Sequence, residues 1–268
     1  MSMKPYLIKF HWLISSQFGF DPLLFIRSLR GFPKFLADFL LFRKIHSGSL
    51  VLAPCLHDRY EESGATGNEY FWQDLIVARW ICEAAPAKHV DIGSRVDGFV
   101  AHVASFRDIE VFDIRPTKVT IPGVLFRQAD LMSSAFFSDR CELIQYCDSV
   151  TCLHALEHFG LGRYGDSIDP QGYQHGIKNM ARLLTPGGTF YLSTPIGKER
   201  VEFNSNWVFD PRTIIATAQE WGLKLTGLTV VSLENGPQES ATDQPTLQTL
   251  AEQPYHLGIF TFTKANSP

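Results

Sequence analysis

From residue 88 onward the chain alternates between two periods. "HVDI" is a short buried strand, and "DGFVAHVASF" after it reads as a helix with Asp97 at its N-cap. "IEVFDI", "VLFRQAD" and "SVTCLH" read as strands two to four. "YQHGIKNMARLL" is a helix with Ile177, Met180 and Leu184 in register, and "TFYLSTP" is a fifth strand. "FDPRTIIATAQEWG" carries Asp210 as cap, Pro211 as first residue and Gly222 as stop. "LKLTGLTVVSL" and "HLGIFTFTK" are long β segments joined by a polar loop, suited to an antiparallel hairpin. Strands alternating with helices require a parallel sheet covered on both faces. The predicted fold is α/β, a doubly wound, mostly parallel seven-stranded sheet ending in an antiparallel hairpin, with an N-terminal helical cap. We place the cap and its connection at residues 1–85 and the main domain at 86–268.

The N-terminal part differs in composition. Residues 1–45 hold seven Lys/Arg and two Asp/Glu, a net charge of +5, and the remainder carries −9. The segment is rich in Phe, Leu and Ile and reads as two or three short helices broken near Gly31–Pro33. One reading is a cap whose apolar face packs on the main domain. A second is a basic, aromatic face resting on an anionic membrane surface. Charges at Lys4, Lys9, Asp21, Arg27, Arg30 and Lys34 interrupt every run short of the ~20 apolar residues that a span needs. No clean signal-peptide pattern is visible, so the expected location is cytoplasmic, with membrane-peripheral attachment under the second reading. Upstream of the first strand, "YFWQDLIVARWICEAA" places Phe71, Leu75, Ala78 and Cys82 on one helical face.

With 45% hydrophobic and 19% charged residues and a net charge of −4, the composition is that of a globular chain and gives no sign of a nucleic-acid binder. The five cysteines form no CxxC pair, no Cys/His set has metal-ligand spacing, and reduced, mostly buried thiols are expected. The oligomeric state is not legible.

In an open α/β sheet, ligands bind beyond the carboxyl ends of the strands. Those ends carry Asp91, Gly93 and Gly98; Asp113; Asp130; His154, Glu157 and His158; and Ser193–Pro195. Gly93 permits a sharp turn. Asp113 follows Asp91 by 22 residues, the separation at which an acid on the second strand accepts both hydroxyls of a ribose. The loop is neither GxGxxG nor a phosphate-binding GK[ST] loop. Acids at Asp91 and Asp97 suit a ligand bearing an ammonium or sulfonium better than one bearing phosphate.

"VDIGS", "VFD", "QAD", "DSVTCLHALEHF" and "LLTPGGTFYLSTP" together resemble the class I S-adenosylmethionine-dependent methyltransferases over about residues 86–264. The resemblance implies S-adenosylmethionine as cofactor. It places Gly93 and its neighbours Asp91, Ser94 and Arg95 along the methionine part, Asp113 on the ribose, Ala129 and Asp130 at the adenine edge, and Leu153–His154 beside the sulfonium. "NEYFWQDLIVARWI", "HVDIGSRVDGFVAH", "LEHFGLGRYGDSIDPQGY" and "STPIGKERVEFNSNWVF" look more closely like an uncharacterised branch of Rossmann-like methyltransferase sequences. That branch is often associated with bacterial surface-polysaccharide synthesis, which implies a small-molecule or saccharide acceptor. The chain departs from the family at Arg95, where glycine is usual, and at Asp97, where it is frequent. Arg95 could point away, pair with a cofactor carboxylate, or obstruct the pocket.

Transfer of a methyl group to a hydroxyl needs alignment and a base. His154 is the first candidate base and His158 the second, with Glu157 orienting either; the same residues could equally cap a helical turn. Residues 160–173 and 197–207 follow the fourth and fifth strands, where Arg163, Arg200, Glu202 and Asn204 would hold an anionic or hydroxyl-rich acceptor or serve as ordinary surface residues. Tyr70 and Gln73 would be lid contacts, or part of a helix that is simply core. Two other function classes are compatible: a non-catalytic member of the fold acting as a binding partner in polysaccharide synthesis, and a nicotinamide-dependent sugar oxidoreductase or epimerase. The missing GxGxxG and the absence of a plain Tyr-x-x-x-Lys pair speak against the latter.

Overall fold

The computed structural model describes residues 4–61, 63–64, 66–232 and 236–266, with the side chains of residues 4–9 and 60 excepted. The chain divides into two compact units, residues 1–65 and 66–268.

In the first unit, α1 spans Lys4–Phe18 and α2 spans Pro22–Ile45. The break between them lies at Gly19–Asp21, not at Gly31–Pro33. Asp21 Oδ1 accepts from the backbone N–H groups of Leu23 (2.8 Å) and Leu24 (3.0 Å), and Pro22 opens the helix. α2 continues through Pro33. Gly31 does not end the helix; it is buried because the Leu56 carbonyl comes against it, where a Cβ would overlap.

In the second unit, the elements run α3 (Glu69–Ala84), β1 (His89–Ile92), α4 (Ala101–Ala104), β2 (Ile109–Asp113), β3 (Val124–Gln128), β4 (Cys147–Leu153), α5 (Gly172–Leu183) and β5 (Leu184–Ile196). A small ribbon of β6 (Arg200–Glu202) and β7 (Asn206–Val208) follows, then α6 (Pro211–Glu220), β8 (Leu223–Ser232), β9 (Gly236–Glu239), α7 (Gln244–Glu252) and β10 (His256–Lys264). The main sheet has the order β3-β2-β1-β4-β5-β10-β8-β9. β1 to β5 are parallel, and β10 lies antiparallel between β5 and β8. This is the doubly wound, mostly parallel sheet with an antiparallel end that the alternation predicts. The sheet holds eight strands because the segment read as a polar loop contributes β9 at the edge of β8, and also α7.

Period-2 alternation divides the core between the two faces. Val90, Ile92, Phe112, Phe190, Leu192, Phe260 and Phe262 point to one cluster, with Ile177 and Met180 of α5 and Ile214 and Ala218 of α6. Ile109, Val111, Tyr191, Leu257 and Ile259 point to the other, with Val77, Ala78 and Ile81 of α3. That packing ties α3 to the sheet, so the division at 65/66 lies upstream of the boundary drawn at 85/86. The inward face of α3 is Gln73, Asp74, Val77, Ala78 and Ile81. Of the face expected from hydrophobicity, only Ala78 is inward; Phe71, Leu75 and Cys82 are exposed. Cys55 and Cys141 are exposed too, so only Cys147 and Cys152 are the buried thiols expected.

Candidate active site

The turn after β1 is built on Gly93, whose φ is +70°. Its N–H donates to the Phe112 carbonyl (2.9 Å), and a Cβ there would sit 3.0 Å from Ala155 Cβ. Beneath the turn, Asp91 is fully buried. Its carboxylate accepts from Ser94 N (3.0 Å), Ser94 Oγ (2.6 Å) and Thr151 Oγ1 (2.7 Å). Burial pushes its pKa up to about 7 against the pull of those bonds. Leu153 N in turn donates to Ser94 Oγ (3.1 Å). Asp91 and Ser94 thus fasten the turn to β4 from below.

Asp97, expected as an N-cap, caps nothing. The chain makes a wide turn over Val96–Val100, kinked at Gly98, before α4 begins. The Asp97 carboxylate instead takes Arg95, with Nη2–Oδ2 at 2.7 Å and Nε–Oδ1 at 3.1 Å. The Arg95 guanidinium lies 5.6 Å from the Tyr70 ring, and Arg95 and Asp97 stand at the rim as a mutually neutralising pair.

A cavity of about 510 Å³ opens beyond the carboxyl ends of β1, β2 and β4. It is lined by Tyr70, Gly93, Arg95, Asp113, Ala129, Asp130, His154, His158 and Arg163 among the residues singled out from sequence. Asp91, Gln73, Ser94, Leu153 and Glu157 are buried behind the lining and do not face it. Gln73 Oε1 accepts from Ser193 Oγ (2.5 Å), and its Nε2 donates to Asp74 (3.1 Å), so it braces α3 against β5. Ala129 N donates to the Asp113 carbonyl (2.9 Å), which joins the ends of β2 and β3.

Among the lining residues not anticipated are Arg115 and Tyr164. Arg115 donates to Asp113 from its backbone N (2.8 Å), Nε (3.0 Å) and Nη2 (2.6 Å), so both oxygens of Asp113 are engaged. The same guanidinium lies 4.5 Å from the Tyr164 ring centre. The sequence signal is "DIR": an aspartate at a strand end can accept the backbone N–H two residues on, and the turn this makes brings the arginine at i+2 back over the carboxylate. Tyr164 belongs to the insertion after β4, which Asp166 closes by accepting from the N–H groups of Gly160, Gly162 and Tyr164 at 3.0–3.1 Å.

His154 adopts a left-handed backbone (φ +50°) and stacks on Tyr70 with ring centres 4.4 Å apart. Its Nδ1 lies 2.7 Å from Glu157 Oε1, and its Nε2 lies 3.4 Å from Glu69 Oε1. Burial alone would lower its pKa, but the two carboxylates prevail and raise it to about 10. His154 is therefore an imidazolium at neutral pH and has no lone pair with which to accept a proton, which argues against it as the base. His158 differs. Its Nδ1–H donates to the Ser205 carbonyl (2.7 Å), which leaves the lone pair on Nε2. Burial lowers its pKa, Glu157 opposes, and Arg163 adds to the lowering, so it is neutral. Glu157 therefore serves mainly as the counter-ion of His154; its Oε1 is 3.9 Å from His158 Nε2.

Arg163 donates to the same Ser205 carbonyl (2.9 Å) and lies beside His158 at the cavity. Arg200, Glu202 and Asn204 do not line the cavity. They sit on the β6–β7 ribbon, where Arg200 pairs with Glu202 (3.1 Å) and donates to the Lys198 and Pro254 carbonyls.

Residues 110–226 match a family model described as "Caenorhabditis protein of unknown function, DUF268". No curated protein matches the chain. Among solved structures, the chain is similar to a 1,6-didemethyltoxoflavin-N1-methyltransferase from Burkholderia thailandensis with bound S-adenosylhomocysteine (TM-score 0.47, 13% identity, 73% of this chain and 80% of that one). It is also similar to a sarcosine dimethylglycine methyltransferase structure from Galdieria sulphuraria (0.48, 12%, 72% and 86%). A third similar structure is the N-methyltransferase NodS from Bradyrhizobium japonicum with S-adenosylhomocysteine (0.46, 14%, 74% and 89%).

Proposed function

We propose that residues 66–268 form an S-adenosylmethionine-dependent methyltransferase that methylates a hydroxyl of a sugar or polysaccharide precursor, with His158 as the base. The observation that carries this reading is the single cavity that joins Gly93, Asp113, Ala129 and Asp130 to a neutral histidine. The residues present fit the cofactor. The Gly93 turn has the positive φ and the close packing on Ala155 that a side chain would disturb, and an acid stands at the end of β2 where a ribose would lie. Gly93 would line the methionine part, Asp113 the ribose, and Ala129 and Asp130 the adenine edge. When bound, S-adenosylmethionine supplies an electrophilic methyl group.

The chain's own contribution is position and proton transfer. Asp91 and Ser94 hold the turn in place from below. His158 Nε2 takes the proton of the acceptor hydroxyl, its tautomer fixed by Ser205. The charged His154–Glu157 pair sets the wall between cofactor and acceptor, and Tyr70 packs against its imidazolium as a cation–π partner. Arg163, with no carboxylate partner recorded among the described residues, suits an acceptor bearing an anionic group.

Calorimetric titration with S-adenosylhomocysteine, on wild type and Asp113→Ala, tests it. The expected result is micromolar binding to wild type that Asp113→Ala abolishes. Failure of well-folded wild type to bind would overturn the reading in favour of a second one, a non-catalytic binding partner of the same fold. The Arg115–Asp113 pair favours that second reading, because both ribose-facing oxygens are already engaged.

A further inference from the structure

We propose that the α1–α2 unit docks on an anionic lipid bilayer surface. The proposal is independent of the chemistry assigned to the cavity. Phe25, Leu29, Phe32, Leu36 and Leu40 follow the spacing i, i+4, i+7, i+11, i+15 along α2 and fall within about 80° of one helical arc. All five are exposed, from 44% at Leu36 to 59% at Leu29. On α1 and the turn after it, Phe10, Trp12, Leu13, Phe18 and Phe20 are exposed as well. Isolated exposed apolar residues are ordinary, but a continuous stripe marks a docking face.

Charge decides the occupant. Arg27, Arg30 and Lys34 lie on the side of α2 away from the stripe, interleaved with exposed Leu23, Leu41 and Ile45, and Arg43 and Lys44 stand at its C-terminal end. Asp38 pairs with Lys34 (2.6 Å). Among the described residues, no carboxylate pairs with Arg27, Arg30, Arg43 or Lys44. A helix that exposes Phe and Leu together with Arg and Lys that have no carboxylate partner is suited to an anionic bilayer surface. Its apolar face reaches the acyl boundary while the long basic side chains extend to the headgroups. No helix among the described residues is long and apolar enough to cross a membrane.

Co-sedimentation of the full chain tests this, using phosphatidylcholine vesicles with and without about one-third phosphatidylglycerol. Wild type is expected to bind the phosphatidylglycerol vesicles and to bind the neutral ones far more weakly. Raising salt from about 0.1 M to about 1 M should weaken binding, since the screening length falls from about 10 Å to about 3 Å. Arg27→Gln with Arg30→Gln should cost about 25-fold in affinity, about fivefold per charge. Phe25→Ser, Leu29→Ser, Phe32→Ser and Leu36→Ser together should abolish binding without changing the melting temperature of the chain, because all four side chains are exposed. No binding of folded wild type to either vesicle would overturn the proposal, as would equal binding to both compositions. A dimer in solution that the four-serine variant dissociates, with no vesicle binding, would assign the stripe to a second copy instead.

Discussion

Glu157 Oε1 lies 2.7 Å from His154 Nδ1, and both side chains are almost wholly shielded from solvent. A buried pair of this kind destabilises sharply when one member is removed, since the other is left as an uncompensated charge. His154→Gln is expected to cost about 3–5 kcal/mol in urea unfolding. The pH dependence has a fixed sign. The folded pKa of His154, about 10, lies above its ordinary value of 6.5, so the stabilisation is complete below pH 6.5 and is lost as pH rises toward 10. Wild-type melting temperatures should fall across that window, and those of His154→Gln should fall less.

His158→Gln should leave the fold and S-adenosylhomocysteine affinity intact while reducing kcat by about 100- to 10,000-fold. Burial holds the pKa of His158 below its ordinary value of 6.5. The wild-type kcat profile should therefore decline on the acid side, with its midpoint below pH 6.5. A decline beginning well above pH 7 would remove His158 from the role.

Ser94→Ala removes one donor to Asp91 and the acceptor of Leu153 N–H in a site closed to water. We expect a loss of about 1–3 kcal/mol in stability and weaker S-adenosylhomocysteine binding, although Ser94 does not line the cavity. Denaturant titration alongside calorimetry would separate the two effects.

Arg95→Ala breaks an ion pair whose side chains are 57% and 74% exposed. Such pairs contribute about 0–1 kcal/mol, and less in salt. Stability should barely change, and S-adenosylhomocysteine affinity should stay within about threefold of wild type if Arg95 remains with Asp97. A large gain in affinity would mean that the arginine obstructs the pocket.

The strands of the central sheet could be read from the sequence because their signals agree: an apolar run, a period of two, and a polar or acidic residue at each carboxyl end. The inward face of α3 was misread because two of its buried positions are Gln73 and Asp74, which a hydrophobic pattern scores as solvent-facing. α7 was taken for loop because it is short and mostly polar, with Leu247 its one buried residue and Leu250 packed only partly against the core. That Gly93, Asp113, Ala129 and Asp130 lie near one another was legible, since each follows the carboxyl end of a neighbouring strand, and they line one cavity. The different surroundings of His154 and His158 were not, because they depend on Glu69, which is 85 residues from His154 in the chain, and on the carbonyl of Ser205. Arg115 lies two residues past the acid that ends β2, where the strand signal has run out.

β9 is four residues long, lies outermost in the main sheet, and contains Pro237. A long flat edge of free N–H and C=O groups is a template on which another chain can add a strand. A short edge with a proline, which has no N–H to donate, is a poor one. On this side, the added strand protects the sheet from recruiting further copies into an aggregate, which matters in a chain that also carries an exposed apolar helix.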